Sequence, residues 1–418
     1  MNLLTCSWIG ETSAIRTLAS PATTKSTCTR EFSVHIRILV LVILLPALAG
    51  AAPPFRAARG LFDLSNSKTL GFTTITGEHK EIHHATEQSG FRFAHHPGLI
   101  VFKDRLYCSW SSGRAHEDRP DQRVLYASTA DGKTWSASRT LAKPPEEVYG
   151  SCVAAGFHVN DDTLVAYYTL THEYPTHNLH NEKNAMWAIT SREGVNWSQP
   201  TKIAAGFYIE GPRPLSNGRL FLGGEHAGPI WKSHQARMLL LYTDSRNGID
   251  SWKQASIDPS PAEPNGLKVF GYTEPCPFVR KDGTIVCPFR NQSGFLYASI
   301  SQDNGKTWSV PQQTNFPDSM ARFSTGRLPD GKIYIINNSG PGRMNRSLLT
   351  IALSDDGIVF DRAWIIRGEP TTQRFTGKGK RDGWQYPSSL VWKNSLFVAY
   401  SANKEDVAIT RIALDSFD

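Results

Sequence analysis

One recurring turn limits what this chain can fold into more than any other feature. The stretch "SISQDNGKTWSVP" from Ser299 places Asp303, Gly305, Thr307 and Trp308 within a few residues of one another. Weaker copies are "STADGKTW" ending at Trp135, "TSREGVNW" at Trp197, "YTDSRNGIDSW" at Trp252 and "LSDDGIVF" at Phe360. Their glycines, Gly132, Gly194, Gly248, Gly305 and Gly357, are separated by 62, 54, 57 and 52 residues. Self-similarity at that period points to a propeller or a solenoid.

The local chemistry of each copy is that of a hairpin. A strand-like run precedes it, such as "RVLYAS", "LLLYT", "FLYASI" or "LLTIAL". Asp and Asn accept hydrogen bonds from nearby backbone, and Gly supplies a positive φ. The aromatic that follows returns to the core and fixes the corner, so the motif is structural. Between copies lie further strand–turn–strand runs, among them "GLIVFKDRLYCSW", "PFVRKDGTIVCPF", "RLPDGKIYIIN" and "SLVWKNSLFVAY". Four strands per ~50–60 residues make a propeller blade. Five copies plus one blade without a copy predict an all-β, six-bladed β-propeller of four-stranded antiparallel blades. It spans residues 57–418, and the segment after Leu61 closes it by pairing with the C-terminal strands.

The 418 residues are 40% hydrophobic and 20% charged, which suits a globular chain with a sizeable core. The formal charge of +7 favours an acidic partner. No run of Lys and Arg of the kind found in nucleic-acid arms is present. Near the N-terminus, "RILVLVILLPALAGAAPP" reads as a secretory leader. Arg37 belongs to the positive region, Ile38 to Leu48 to the apolar region, and Ala49–Ala51 to the cleavage site. The apolar run is shorter than the ~20 residues of a spanning helix. The expected organisation is a signal peptide over 1–51, a short linker over 52–56 and the propeller over 57–418. Localisation is then secreted or periplasmic. Removing 1–51 takes away four basic and two acidic residues and leaves +5. Cys108, Cys152, Cys276 and Cys287 remain. No Cys-x-x-Cys is present, so a zinc or redox motif is not indicated. Buried free thiols are expected, with a local Cys276–Cys287 bridge as the alternative.

The repeated turns resemble the Asp-boxes of the sialidase (neuraminidase) family, written S-x-D-x-G-x-T-W. The copy at Ser301–Trp308 matches at every position. Asp-boxes also occur in propellers of other function, so the motif bears on the fold more than on the activity. Other segments resemble the family's catalytic ones. In "YTEPCPFVRKDGTIVCPFRNQ", Glu274 and Arg290 fall where sialidases carry a Glu that serves a nucleophilic Tyr and an Arg that binds the substrate carboxylate. The planar guanidinium fork suits that second role. In "MNRSLLTIALSDDG", Arg346 resembles a second carboxylate-binding Arg. In "GWQYPSSLVW", Tyr386 resembles the nucleophile. A phenol of pKa near ~10 needs a neighbouring carboxylate to take its proton. Sialidases with a Tyr nucleophile are an exception to the two-carboxylate rule for glycosidases.

The segment "FRFAHHPGLIVFKDRLYCSWSSGRAHEDRPDQRVLYAS" departs from the family. Where sialidases have Arg-Ile-Pro, this chain has His95, His96 and Pro97, and Arg92 lies three residues too early. Downstream, Glu117, Asp118 and Asp121 are candidate acid/bases, with Asp118 preferred, in a loop that also reads as simply solvated. Arg114 in that loop and Arg213 in "EGPRPLSNGR" are further candidates for substrate binding, with Glu210, Glu225 and His226 nearby. The loop "YYTLTHEYPTHNLHNEKNAMW" holds Tyr168, His172, Tyr174, His177 and His180 without a metal-ligand spacing. No cofactor motif, EF-hand loop or metal site is indicated.

The resemblance implies a retaining exo-α-sialidase type of glycoside hydrolase acting on terminal acidic sugars. Its partner would be an acidic glycan, not a nucleic acid. Two alternatives follow from the same residues. One is a His/Tyr-dependent lyase or hydrolase of uronate-containing glycans, favoured by "AHHP", because a histidine can take a proton near neutral pH. The other is a carbohydrate-binding propeller without catalysis.

Overall fold

The computed structural model describes residues 52–174, 181–228, 238–257 and 273–417. The expected leader (1–51), His177 and His180 lie outside the described residues. The chain forms six four-stranded antiparallel sheets, each a blade, and no α-helix is present among the described residues. Blade 1 runs Phe93–Phe102, Arg105–Gly113, Arg123–Thr129 and Arg139–Ala142. Blade 2 begins at Gly150–Asn160, blade 3 at Arg213–Pro214, blade 4 at Phe278–Val279 and blade 5 at Ser324–Arg327. Blade 6 takes three strands from the C-terminus, Trp384–Trp392, Ser395–Ala402 and Asp406–Ala413. Its outer strand, Glu78–His83, comes from the N-terminal side and pairs antiparallel with Asp406–Ala413. That pairing closes the ring and covers what would otherwise be an exposed edge.

The core is a set of six wedges between neighbouring blades, not one central mass. Tyr107, Tyr126, Leu164 and Tyr168 fill the wedge between blades 1 and 2. Tyr167, Tyr208, Leu222 and Leu241 fill the next. Phe55, in the expected linker, is buried with Phe278, Phe316 and Phe360 between blades 4 and 5. The recurring turns lie between the third and fourth strands of blades 1 to 5. Each sends its aromatic into the wedge shared with the preceding blade. Trp135 packs against blade 6, Trp197 against blade 1, Trp252 against blade 2, Trp308 against blade 3 and Phe360 against blade 4.

The turn at Ser301 shows why those residue types recur. Asp303 Oδ1 accepts the amides of Lys306 (3.1 Å) and Thr307 (2.9 Å), and the Ser301 hydroxyl donates to it at 2.9 Å. The Gly305 amide donates to Ser301 Oγ, and Trp308 Nε1 donates to the Gly305 carbonyl. Glycine is required twice over at the equivalent Gly248. Its φ is +69°, and a Cβ there would come within 2.4 Å of the Tyr167 hydroxyl in the preceding blade. That hydroxyl instead donates to the Gly248 carbonyl at 2.9 Å. The motif is therefore a joint between blades as well as a turn.

Near the axis the inner strands of blades 1 to 3 approach closely through Gly98, Gly156 and Gly211. Leu99 N donates to Ser388 Oγ of blade 6, and Ser389 Oγ meets Ser324 Oγ of blade 5. Cys108, Cys152, Cys276 and Cys287 are buried free thiols, in accord with the expectation and without the Cys276–Cys287 bridge.

Because Trp308 joins two blades, Trp308→Ala should lower stability by about 3–5 kcal/mol, as for other large-to-small core changes. Denaturant unfolding at neutral pH reads this directly. A loss under about 1 kcal/mol would show that the joint does not hold the ring.

Candidate active site

Three segments converge on the mouth of the central channel, and in each the decisive residue stands immediately before a proline. His96 precedes Pro97, Glu274 precedes Pro275 and Tyr386 precedes Pro387. Proline has no amide to give to the sheet ladder, so the inner strands break there. The ladder shifts register between His95 and Gly98 in blade 1, and between Gln385 and Ser388 in blade 6. Such bulges re-aim side chains. His96, Glu274 and Tyr386 have φ of 54°, 42° and 59°, and Asp118 has 49°. Residues in that region cost of order 1–3 kcal/mol each, and a following proline disfavours it further. The strain is local to the site and is offset by the blade packing around it.

A cleft of about 290 Å³ opens here. Its wall and floor include His96, Glu117, Asp118, Glu274, Arg290, Arg346, Tyr386 and Lys404. Tyr386 is at the centre. Its hydroxyl donates to Glu274 Oε1 at 3.0 Å and accepts from Arg290 Nη1 at 2.7 Å. Arg290 Nε pairs with Glu274 Oε2 at 2.9 Å. Three cations surround the phenol ring, with Arg346 5.1 Å, Lys404 5.5 Å and Arg290 5.6 Å from its centroid. Arg346 donates to Gln385 Oε1, while its buried Nε has no hydrogen-bond partner among the described residues.

Burial sets the protonation states. It pushes the Tyr386 phenol up from its ordinary value, against the opposing effect of Arg290. Glu274 is raised for the same reason, again opposed by Arg290. Asp118 is pushed up to about 7, first by burial and then by the neighbouring Glu117. Gln122 Nε2 donates to Asp118 Oδ1 at 3.0 Å. His95 and His96 are held well below their ordinary range by burial and by the charge of Lys404, so both imidazoles are neutral at physiological pH. The His95 ring lies 4.0 Å from that of Tyr386 and 4.3 Å from that of His96.

The cleft thus gathers Tyr386, Glu274, Asp118, His96, Arg290 and Arg346, with His95 directly behind. Arg92, Arg114 and Arg213 are placed elsewhere. Arg92 pairs with Glu87 and lies over the Phe375 ring. Arg114 pairs with Asp121 at 3.0 Å in an exposed hollow of its own. Arg213 is held by Glu210 and donates to the Thr325 carbonyl beneath the cleft floor. In each case a nearby carboxylate decides where the guanidinium goes. Glu210, Glu225 and Arg322 line a small recess that shares Glu274 with the main cleft. Tyr168 is buried in the core, and Tyr174 is exposed.

Two buried cations had no sequence signal. Lys404 sits in a hairpin turn that reads as solvated, and Arg322 in an irregular stretch before blade 5. Glu117 accepts a hydrogen bond from Lys404. The ligand atoms of His95, His96 and Glu117 all lie within 4.8 Å of one another, a geometry that fits a metal ion. Their electrostatic surroundings do not. Lys404 occupies Glu117, and Arg290, Arg322 and Arg346 also act on the histidines, so a dication would meet several fixed positive charges.

A profile described as a BNR repeat-like domain matches residues 104–398. No curated protein matches the sequence. Among solved structures, one titled "Sialidase" has a TM-score of 0.62 at 18% identity, covering 86% of this chain and 35% of its own. A Trypanosoma rangeli sialidase in complex with sialic acid has a TM-score of 0.60 at 14% identity, covering 81% of this chain and 60% of its own. The intramolecular trans-sialidase from Ruminococcus gnavus has a TM-score of 0.57 at 11% identity, with 78% and 95% covered. This chain therefore spans well under two thirds of the first of these proteins. At such identities the likeness speaks for the fold alone. With well over half its length matched, the chain belongs to the family of BNR repeat-like domains, built as a sialidase-like six-bladed β-propeller.

Proposed function

We propose that the protein is a retaining glycoside hydrolase that removes a terminal acidic sugar, of the exo-α-sialidase type, from an acidic glycan. The observation that carries this reading is the hydrogen bond from Tyr386 to Glu274, made inside a ring of cations. A buried phenol beside a carboxylate is poised to lose its proton as it attacks. A neutral nucleophile also approaches an anionic sugar without the repulsion a carboxylate would meet. Export through the apolar run at Ile38–Leu48 suits such a substrate.

The reaction balances on residues of this chain. Tyr386 Oη attacks the anomeric carbon while Glu274 takes the phenolic proton. The glycosidic C–O bond breaks, and Asp118 gives its proton to the departing oxygen. Water then attacks the same carbon, Asp118 takes a proton from it, and the Tyr386–carbon bond breaks as Glu274 returns its proton to the phenol. Two displacements retain configuration. Arg290 and Arg346 face the sugar carboxylate. Asp118, protonated to about pH 7, suits a general acid.

One observation favours a second reading. The neutral His96 lines the cleft beside Tyr386, and a neutral imidazole can take the C5 proton of a uronate while an arginine neutralises its carboxylate. Such a lyase leaves an unsaturated product that absorbs in the ultraviolet, and it has no need of Glu274 as partner to Tyr386.

A fluorogenic α-sialoside and a panel of uronate polysaccharides separate the two. The hydrolase reading predicts sialoside turnover that is abolished in Tyr386→Phe and lowered about 10²–10⁴-fold in kcat in Glu274→Gln. Ultraviolet-absorbing product that disappears in His96→Ala, without sialoside turnover, would replace it with the lyase. The pH profile gives an independent check. The acid must be protonated, so turnover of a poor leaving group should fall as pH rises through about 7. A leaving group that needs no proton should lose that alkaline limb, and Asp118→Asn should spare it far more than the poor one. An alkaline limb unaffected by the leaving group would remove Asp118 from the role.

A further inference from the structure

A lysine on a hairpin tip ordinarily points into water, and Lys404 does not. It lies in the turn between Ser395–Ala402 and Asp406–Ala413, yet it is only 2% exposed. Asn403 and Lys404 both have φ of 56°, the conformation of a tight two-residue turn in which glycine is favoured at the second position. Here that position carries a long cationic side chain instead, turned inward. The turn is anchored to the inner strand of blade 1, because Ala94 N donates to the Lys404 carbonyl at 3.0 Å. The neighbour of Ala94 is His95.

This corner of the cleft has histidines where the resembling family has an arginine, and both are neutral. The positive charge available there belongs to Lys404. Burial pulls its ammonium down to about 8, against the pull of Glu117, so it stays largely protonated at neutral pH. Its commitments are few. Among the described residues Glu117 is the one hydrogen-bond partner of Nζ, which leaves two of the three N–H donors of an ammonium. Arg290, by contrast, already serves Glu274 and Tyr386.

We propose that Lys404 is a substrate-binding residue that grips the sugar carboxylate together with Arg290 and Arg346, with Glu117 as its positioning residue. The proposal rests on the acidic-sugar reading of the cleft. An ammonium is a point charge and holds one oxygen where a guanidinium fork holds two. Lys404 takes one carboxylate oxygen and Arg346 the other. The ligand chemistry is a carboxylate on a pyranose ring, present in 2-keto sugar acids and in uronates alike.

The test compares acid and ester forms of the same sugars. Calorimetry on the full chain would use 2,3-dehydro-N-acetylneuraminic acid, glucuronic acid and the methyl ester of each, and the sugar whose acid binds identifies the class. Wild type is expected to prefer acid over ester by at least about tenfold, as for a charge-assisted hydrogen bond. Because Arg290 and Arg346 remain, Lys404→Met should lower that preference by about fivefold or more without abolishing it, as for one lost charge-assisted hydrogen bond, while ester affinity stays within about twofold, and Lys404→Arg should restore it. The double variant Lys404→Met/Glu117→Gln removes both charges at nearly constant volume. It should fold and show the same reduction even if the single change leaves Glu117 unbalanced. A preference for acid that is undiminished in either Met variant overturns the role of Lys404 and leaves the acidic-sugar reading standing. No preference in wild type for either sugar overturns both.

Discussion

The site depends on one phenolic hydroxyl that is spoken for on both sides. Tyr386 accepts from Arg290 and donates to Glu274, and Arg290 closes the triangle by pairing with Glu274. Tyr386 and Arg290 are buried and Glu274 is nearly so, and each is tolerable there because of the other two. An unpaired carboxylate or guanidinium at that depth would shift its protonation or unfold its surroundings. The triangle also defines a direction for proton movement. Glu274 is hydrogen-bonded to the phenol, and in the proposed reaction the cations around the ring would stabilise the negative charge that develops as the proton leaves.

Holding this arrangement takes a rigid frame. His96, Asp118, Glu274 and Tyr386 all keep a positive φ in the cleft, three of them immediately ahead of a proline. Such strain persists only where the rest of the structure over-determines it. The six wedges between blades supply that rigidity, and the five recurring turns pin each of blades 1 to 5 to the blade before it. The sixth interface has no such turn. It is filled instead by Ile75, Trp364 and Phe417 packed among the strands of blades 5 and 6, with the Trp364 and Phe417 rings 5.8 Å apart. Fold and site are thus linked through the ring. The residues of the triangle come from blade 4 and blade 6, and their spacing is fixed only when the circle is closed.

Legibility in the sequence followed how local the determinant is. The repeat was readable because Asp, Gly and Trp act within one turn, through hydrogen bonds to backbone a few residues away. Glu274, Arg290, Arg346 and Tyr386 were readable from local stretches, and the structure brings all four to one cleft. Arg92, Arg114 and Arg213 were not placeable in this way. Their long side chains follow Glu87, Asp121 and Glu210, and no sequence spacing says which carboxylate will capture a guanidinium. Lys404 was hidden for the opposite reason. A charged residue in a hairpin turn looks solvated, and only the docking of that turn against Ala94 shows that it points inward. The proline after each of His96, Glu274 and Tyr386 was in plain view. Its meaning as a strand-breaking device that re-aims the residue before it emerges only from the register of the folded blades.

The central claim is that Tyr386 forms a covalent bond to the sugar. A sialic acid derivative with fluorine at the anomeric carbon and at C3 forms the glycosyl-enzyme and slows its hydrolysis, so intact mass spectrometry can catch it. The account predicts a stoichiometric adduct that maps to the peptide containing Tyr386 and is absent from Tyr386→Phe. An adduct on another residue, or none from a protein that still cleaves α-sialosides, would contradict it.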